Sequence, residues 1–131
     1  MDYVTSVTPT TTSFRVVVEP SATAYTGPIT AISNVPIVGR ETARTIITGN
    51  GSSGTLITAN NVTNVTIKNF TIINAGIGID VATNSSVIIT SNVFQVGSGG
   101  TAVRVQNSPA TTIINNTFYQ NGTAISNGLD N

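Results

Sequence analysis

Along the second half of the chain, apolar and polar residues alternate in stretches of only four to six residues, and these stretches recur. Val65-Thr66-Ile67-Lys68-Asn69-Phe70-Thr71-Ile72, Val87-Ile88-Ile89-Thr90-Ser91-Asn92-Val93-Phe94 and Thr111-Thr112-Ile113-Ile114-Asn115-Asn116-Thr117-Phe118 share one pattern, apolar-x-apolar-x-x-z-x-apolar. The aligned columns are Val65/Val87/Thr111, Ile67/Ile89/Ile113, Phe70/Asn92/Asn116 and Ile72/Phe94/Phe118, separated by 22 and then 24 residues. A second alternating stretch, each time opened by glycine, repeats at 54–59, 76–81, 100–105 and 122–127. From Ala59 to Val65, Val81 to Val87 and Val105 to Thr111 the gap is always six residues. Period-two alternation predicts half-buried strands, and self-similarity at a fixed period predicts a stacked repeat.

A unit of about 22 residues, holding two or three short strands joined by Asn, Gly and Ser turns, predicts a parallel β-helix solenoid in which each unit is one coil. Strand i then pairs in parallel with strand i+22, about 4.8 Å away. A meander of hairpins is the competing arrangement. It would join neighbours by tight turns and would not hold like residues in register at one coil length. The two extra residues of the wider spacing fall in 96–100, whose glycines read as a loop that absorbs an insertion.

The first third is less regular. Phe14 to Val18 reads as a strand, Pro20 to Thr23 as a break, and Ile29 to Ile32 and Val35 to Val38 as shorter strands, the latter ended by Gly39. The expected organisation is an extended Thr- and Pro-rich arm over 1–12 and a β-helix over 13–131, with its first coils irregular or capping.

Composition agrees with strands. The chain holds 23 Thr, 16 Ile and 15 Val against 2 Leu among 131 residues, and β-branched side chains lose rotamer freedom in helices. Charged residues make up 8% and the net charge is zero. With no basic patch, the electrostatic term behind nucleic-acid affinity is missing, so no nucleic-acid partner is expected. No apolar run reaches the roughly 20 residues of a membrane-spanning helix, so no membrane span is expected. Cysteine and histidine are absent, which excludes disulfides, thiolate catalysis and His-based acid–base chemistry.

The run Arg40-Glu41-Thr42-Ala43-Arg44-Thr45-Ile46-Ile47-Thr48-Gly49-Asn50-Gly51, followed by Val65 to Asn74, resembles the right-handed β-helix of the pectin-lyase-like superfamily, in which a T-I-I-x-G strand precedes a V-T-I-x-N-x-T-I strand. The resemblance covers roughly residues 35 to 127 and implies fold rather than activity. The fold class expected is therefore all-β, a single-stranded right-handed parallel β-helix. Members with known chemistry use clustered Asp with His, a calcium-binding Asp/Glu cluster with an Arg base, or paired Asp with Arg and Gln. None of these clusters can be placed here, where the acidic residues are Asp2, Glu19, Glu41, Asp80 and Asp130. Only Asp80 lies in the aligned region, in the column Thr58/Asp80/Arg104/Ser126, where an ion pair with Arg104 is the expectation.

No catalytic, cofactor or metal site is expected. Asn92 and Asn116 occupy one column and are expected to exchange hydrogen bonds between coils, beside an outward column of Asn69, Ser91 and Asn115. Phe94 and Phe118 are expected to stack inside. Asn-X-Ser/Thr triplets make Asn50, Asn61, Asn64, Asn69, Asn84, Asn115 and Asn121 candidate N-glycosylation sites in a secreted protein. The functional expectation is a non-catalytic extracellular or cell-surface module, such as an adhesin or filament subunit, self-associating head to tail through coil ends that would otherwise leave strand edges bare. The rival expectations are a non-catalytic piece of a polysaccharide lyase or hydrolase, and a glycan-binding module.

Overall fold

The computed structural model describes residues 15–51 and 53–128. The arm expected over 1–12 lies outside the described residues. Three short strands per coil run in the order expected. The first coil holds β1 (Val16–Val18), β2 (Tyr25–Thr26) and β3 (Ile29–Thr30), and the second β4 (Ile37–Gly39), β5 (Ile46–Thr48) and β6 (Thr55–Asn60). The third holds β7 (Val65–Lys68), β8 (Thr71–Ile73) and β9 (Ile77–Ala82), and the fourth β10 (Val87–Thr90), β11 (Val93–Gln95) and β12 (Gly97–Gln106). The fifth holds β13 (Thr112–Ile114), β14 (Thr117–Phe118) and β15 (Asn121–Gly128).

Each strand of a coil joins a different sheet. The three five-stranded sheets run β1-β4-β7-β10-β13, β2-β5-β8-β11-β14 and β3-β6-β9-β12-β15, with every neighbouring pair parallel. The hairpin alternative is thereby excluded. Ile67 pairs with Ile89 and Ile89 with Ile113, as the repeat columns require, and Thr58, Asp80, Arg104 and Ser126 lie in one cross-coil row.

The inward columns form one core. Ile67, Ile72, Ile79, Val87, Ile89, Phe94 and Val103 are all inaccessible to solvent, and full burial of each such side chain stabilises by about 1.5–3 kcal/mol. Phe94 and Phe118 stack with centroids 5.2 Å apart and planes 8° from parallel, as expected.

One detail differs from the expectation. Residues 97–100 are not a loop. They are the start of β12, and the two extra residues sit in a bulge between Gly97 and Thr101, because a strand can take up surplus residues while its ladder resumes beyond them. Gly39 is the last residue of β4, as expected, and is in register with Val18. The first two coils contribute to all three sheets, with surplus residues in the second coil: Val16 to Ile37 spans 21 residues and Ile37 to Ile67 spans 30. β2 was not legible in the sequence because a two-residue strand has no periodicity.

One inward position is flawed. Thr111 continues the column of Val65 and Val87, and its Oγ1 is sealed from solvent without a hydrogen-bond partner. An unsatisfied buried hydroxyl costs about 1–3 kcal/mol. Thr111→Val should therefore raise stability by about 1 kcal/mol, read as a melting temperature higher by roughly 4 °C.

Candidate functional site

The polar side chains that reach the interior sit at corners between sheets and form ladders. Asn92, 1% exposed, accepts from the Phe70 N–H through Oδ1 at 3.1 Å and donates through Nδ2 to the Ile67 carbonyl at 3.1 Å. One coil later, Asn116 Oδ1 accepts from both the Asn92 N–H at 2.9 Å and Asn92 Nδ2 at 3.1 Å, while its own Nδ2 donates to the Ile89 carbonyl at 2.8 Å. The expected asparagine stack is present. Its role is to satisfy backbone groups that the turn from one sheet to the next removes from the ladder.

Two further ladders were not anticipated. Ser85 Oγ accepts from the Val62 N–H at 3.1 Å, and Ser108 Oγ from the Ser85 N–H at 3.1 Å. Asn121 Oδ1 accepts from the Val96 N–H at 2.8 Å, and its Nδ2 donates to the Phe94 carbonyl at 3.0 Å. In every case the later coil supplies the acceptor for the earlier one. The signal was available in the sequence as the 23-residue spacing of Ser85 and Ser108.

The seven glycosylation candidates separate by geometry. Asn50, Asn61, Asn64, Asn84 and Asn115 are exposed, whereas Asn69 is half-buried and Asn121 is half-buried with its amide committed to the ladder. Asn61, Asn64, Asn69, Asn84 and Asn115 have φ between 54° and 66°, the left-handed region that asparagine tolerates better than other side chains. Asn69, Ser91 and Asn115 form the outward column expected of them, at φ of 66°, 58° and 56°. Much of the asparagine content is thus explained by the corners themselves.

Three ion pairs occur among the described residues. Arg104 donates from Nε to Asp80 Oδ1 at 2.9 Å and from Nη2 to Asp80 Oδ2 at 2.7 Å. The hydrogen bonds it donates to Asp80 hold the Arg104 guanidinium above its ordinary pKa, against the lowering effect of burial and helped by the carboxylate's charge. A raised folded-state value means that this contribution is present below the ordinary guanidinium range and is lost only as pH climbs through the folded value. It is therefore in place at every physiological pH. With Arg104 still 36% exposed, solvent screening limits the pair to about 0.5–1 kcal/mol. Arg40 pairs with Glu19 at 2.9 Å and Arg44 with Glu41 at 3.5 Å, both at the surface. Among the described residues, no three His, Cys, Asp or Glu side chains gather in a way that would hold a metal ion.

A family model described as "right handed beta helix region" matches residues 53–129, more than half of the chain. The chain belongs to the right-handed β-helix family. No curated protein and no solved structure matches it. The matched segment of the right-handed β-helix takes in the asparagine and serine ladders and the Asp80–Arg104 pair. Among the described residues, no helix is long and apolar enough to cross a membrane.

The outer faces of the right-handed β-helix are short of charge. Thr66, Ile88 and Thr112 form one outward row, and Lys68, Thr90 and Ile114 another. On the next sheet Gln95 Nε2 donates to Gln120 Oε1 at 2.9 Å, beside the exposed Tyr119. Such surfaces present hydroxyl and amide groups at regular spacing, with Lys68 and Tyr119 among them. The buried amide is the group on which the coil stack is most vulnerable. Asn92→Ala leaves the Phe70 N–H and the Ile67 carbonyl dry and without their side-chain partner, and should lower unfolding free energy by about 3 kcal/mol in a denaturant titration.

Proposed function

We propose that this chain is a non-catalytic structural module, displayed outside the cell or at its surface as an adhesin, spacer or filament subunit, and that it self-associates through its coil ends. The observation that carries the reading is how the reactive groups are spent. Glu19, Glu41 and Asp80 are each engaged by an arginine, and Asn92, Asn116 and Asn121 each serve the backbone of a neighbouring coil. What faces solvent is mostly Thr, Ile, Asn and Gln on three narrow sheets, a chemistry suited to holding a shape. Exposed corners at Asn50, Asn61, Asn64, Asn84 and Asn115 are the places where such a secreted protein would carry glycans.

A second reading, a glycan-binding module, is favoured by one local feature. Tyr119, 57% exposed, stands beside the Gln95–Gln120 amide pair, giving an aromatic face next to neutral hydrogen-bonding groups. A third, a part of a polysaccharide lyase or hydrolase whose catalytic coils lie elsewhere, rests on the family fold alone.

Incubation with pectin, alginate and related polyanions, with and without calcium, separates these readings. The structural reading expects no new reducing or unsaturated ends and no saturable binding. Depolymerisation would overturn it in favour of the enzyme, and saturable binding lost in Tyr119→Ala would favour the glycan module.

A further inference from the structure

The corner that leads from the sheet of β7, β10 and β13 into the sheet of β8, β11 and β14 is turned by two residues in each of these coils, at 69–70, 91–92 and 115–116. In the second coil the same corner takes six, 40–45. The surplus folds on itself. The Glu41 carbonyl accepts from the N–H groups of Arg44 at 3.1 Å and Thr45 at 2.7 Å, and the Glu41 N–H donates to Oγ1 of the buried Thr45 at 3.2 Å. Its root lies tight against the third coil, since a Cβ on Gly39 would collide with the Asn69 carbonyl oxygen.

This turn touches three other coils. Toward the first, the Arg40 N–H donates to the Val18 carbonyl at 3.0 Å, the Arg44 carbonyl accepts from the Ser21 N–H at 3.4 Å, and Arg40 Nε pairs with Glu19. Toward the third, the Thr42 carbonyl accepts from Thr71 Oγ1 at 2.6 Å and the Thr45 carbonyl from the Thr71 N–H at 3.0 Å. Thr42 also reaches past the third coil. Its Oγ1 donates to the Ser91 carbonyl of the fourth at 3.3 Å, whereas the asparagine and serine ladders join each coil only to the next.

A contact that skips a coil changes how the stack can open. Coils that touch their neighbours alone behave as a one-dimensional array, in which stability is a sum of coil and interface contributions and opening can spread one coil at a time. A bond from the second coil to the fourth is lost whichever of the two opens first. Opening of either coil therefore loosens the other.

We propose that the 40–45 turn is a brace that joins the second, third and fourth coils into one cooperative unit, with Thr42 as the residue that fastens it. The brace uses neither an end of the stack nor any ligand, so it goes beyond the functional reading above and does not depend on it. It also gives the surplus residues of the second coil a role, that of spanning corners which the later coils turn in two residues.

Native-state hydrogen exchange of the full chain along a denaturant series tests the brace. Amides of β5, β8 and β11 should share one opening free energy and one denaturant slope. Thr42→Ala combined with Thr71→Val removes both side-chain bonds of the brace and leaves the core intact, because Ile72 and not Thr71 is the buried residue there. In that variant β5 should exchange roughly tenfold faster than β11 and on a separate slope, a factor in keeping with the loss of two net hydrogen bonds. The far-ultraviolet circular dichroism spectrum should not change. Thr66→Val, on the outer face of the third coil, is the control and should keep the three strands together. Separate opening of β5 and β11 in the unaltered chain would overturn the proposal, as would their staying together in the double variant. Loss of protection by one common factor from β1 to β15 would overturn it too, since the two bonds would then add stability without linking coils.

Discussion

The structure depends on one constraint: each strand must lie directly over its counterpart in the preceding coil, parallel and in register. A slip of one residue would turn the inward columns outward and place Thr or Lys where Ile and Phe now meet. The columns Ile37/Ile67/Ile89/Ile113 and Ile47/Ile72/Phe94/Phe118 are continuous because that register is kept through coils of unequal length. Surplus residues are taken up where they disturb nothing inside, in the bulge of β12 and in the corners of the second coil.

Corners impose a second demand, which asparagine meets in two ways. Backbone that turns between sheets must adopt left-handed φ at some positions and loses its ladder partners at others. Asn61, Asn69, Asn84, Asn107 and Asn115 serve the first need, and Asn92, Asn116 and Asn121 the second. The same composition that creates many glycosylation triplets is therefore a consequence of corner geometry. Asn121 makes the point directly, since the nitrogen that would carry a sugar already donates to the Phe94 carbonyl.

Most of the repeated half of the fold was legible because its signals are periodic. The columns of Ile67, Ile89 and Ile113 and of Asn92 and Asn116 follow from counting alone. The serine ladder was equally periodic but lay in a gap between strands, where attention to apolar positions passes over it. β2 and the bulge of β12 were not legible, because the first is two residues long and the second contradicts the usual reading of clustered glycines as a loop.

For function, the lesson is that regularity consumes chemistry. Three ion pairs and three amide or hydroxyl ladders engage the acidic side chains and the interior amides among the described residues, and it is on this that the structural reading rests. The claim beneath all of this is the cross-coil register, and nuclear Overhauser contacts between backbone protons of isotopically labelled protein test it most directly. The account predicts contacts linking Ile67 to Ile89 and Ile89 to Ile113 in a parallel pattern, together with amides in β7 and β10 that resist hydrogen exchange. Antiparallel contacts between β7 and β8, or Ile67 paired with a residue other than those in its column, would contradict it.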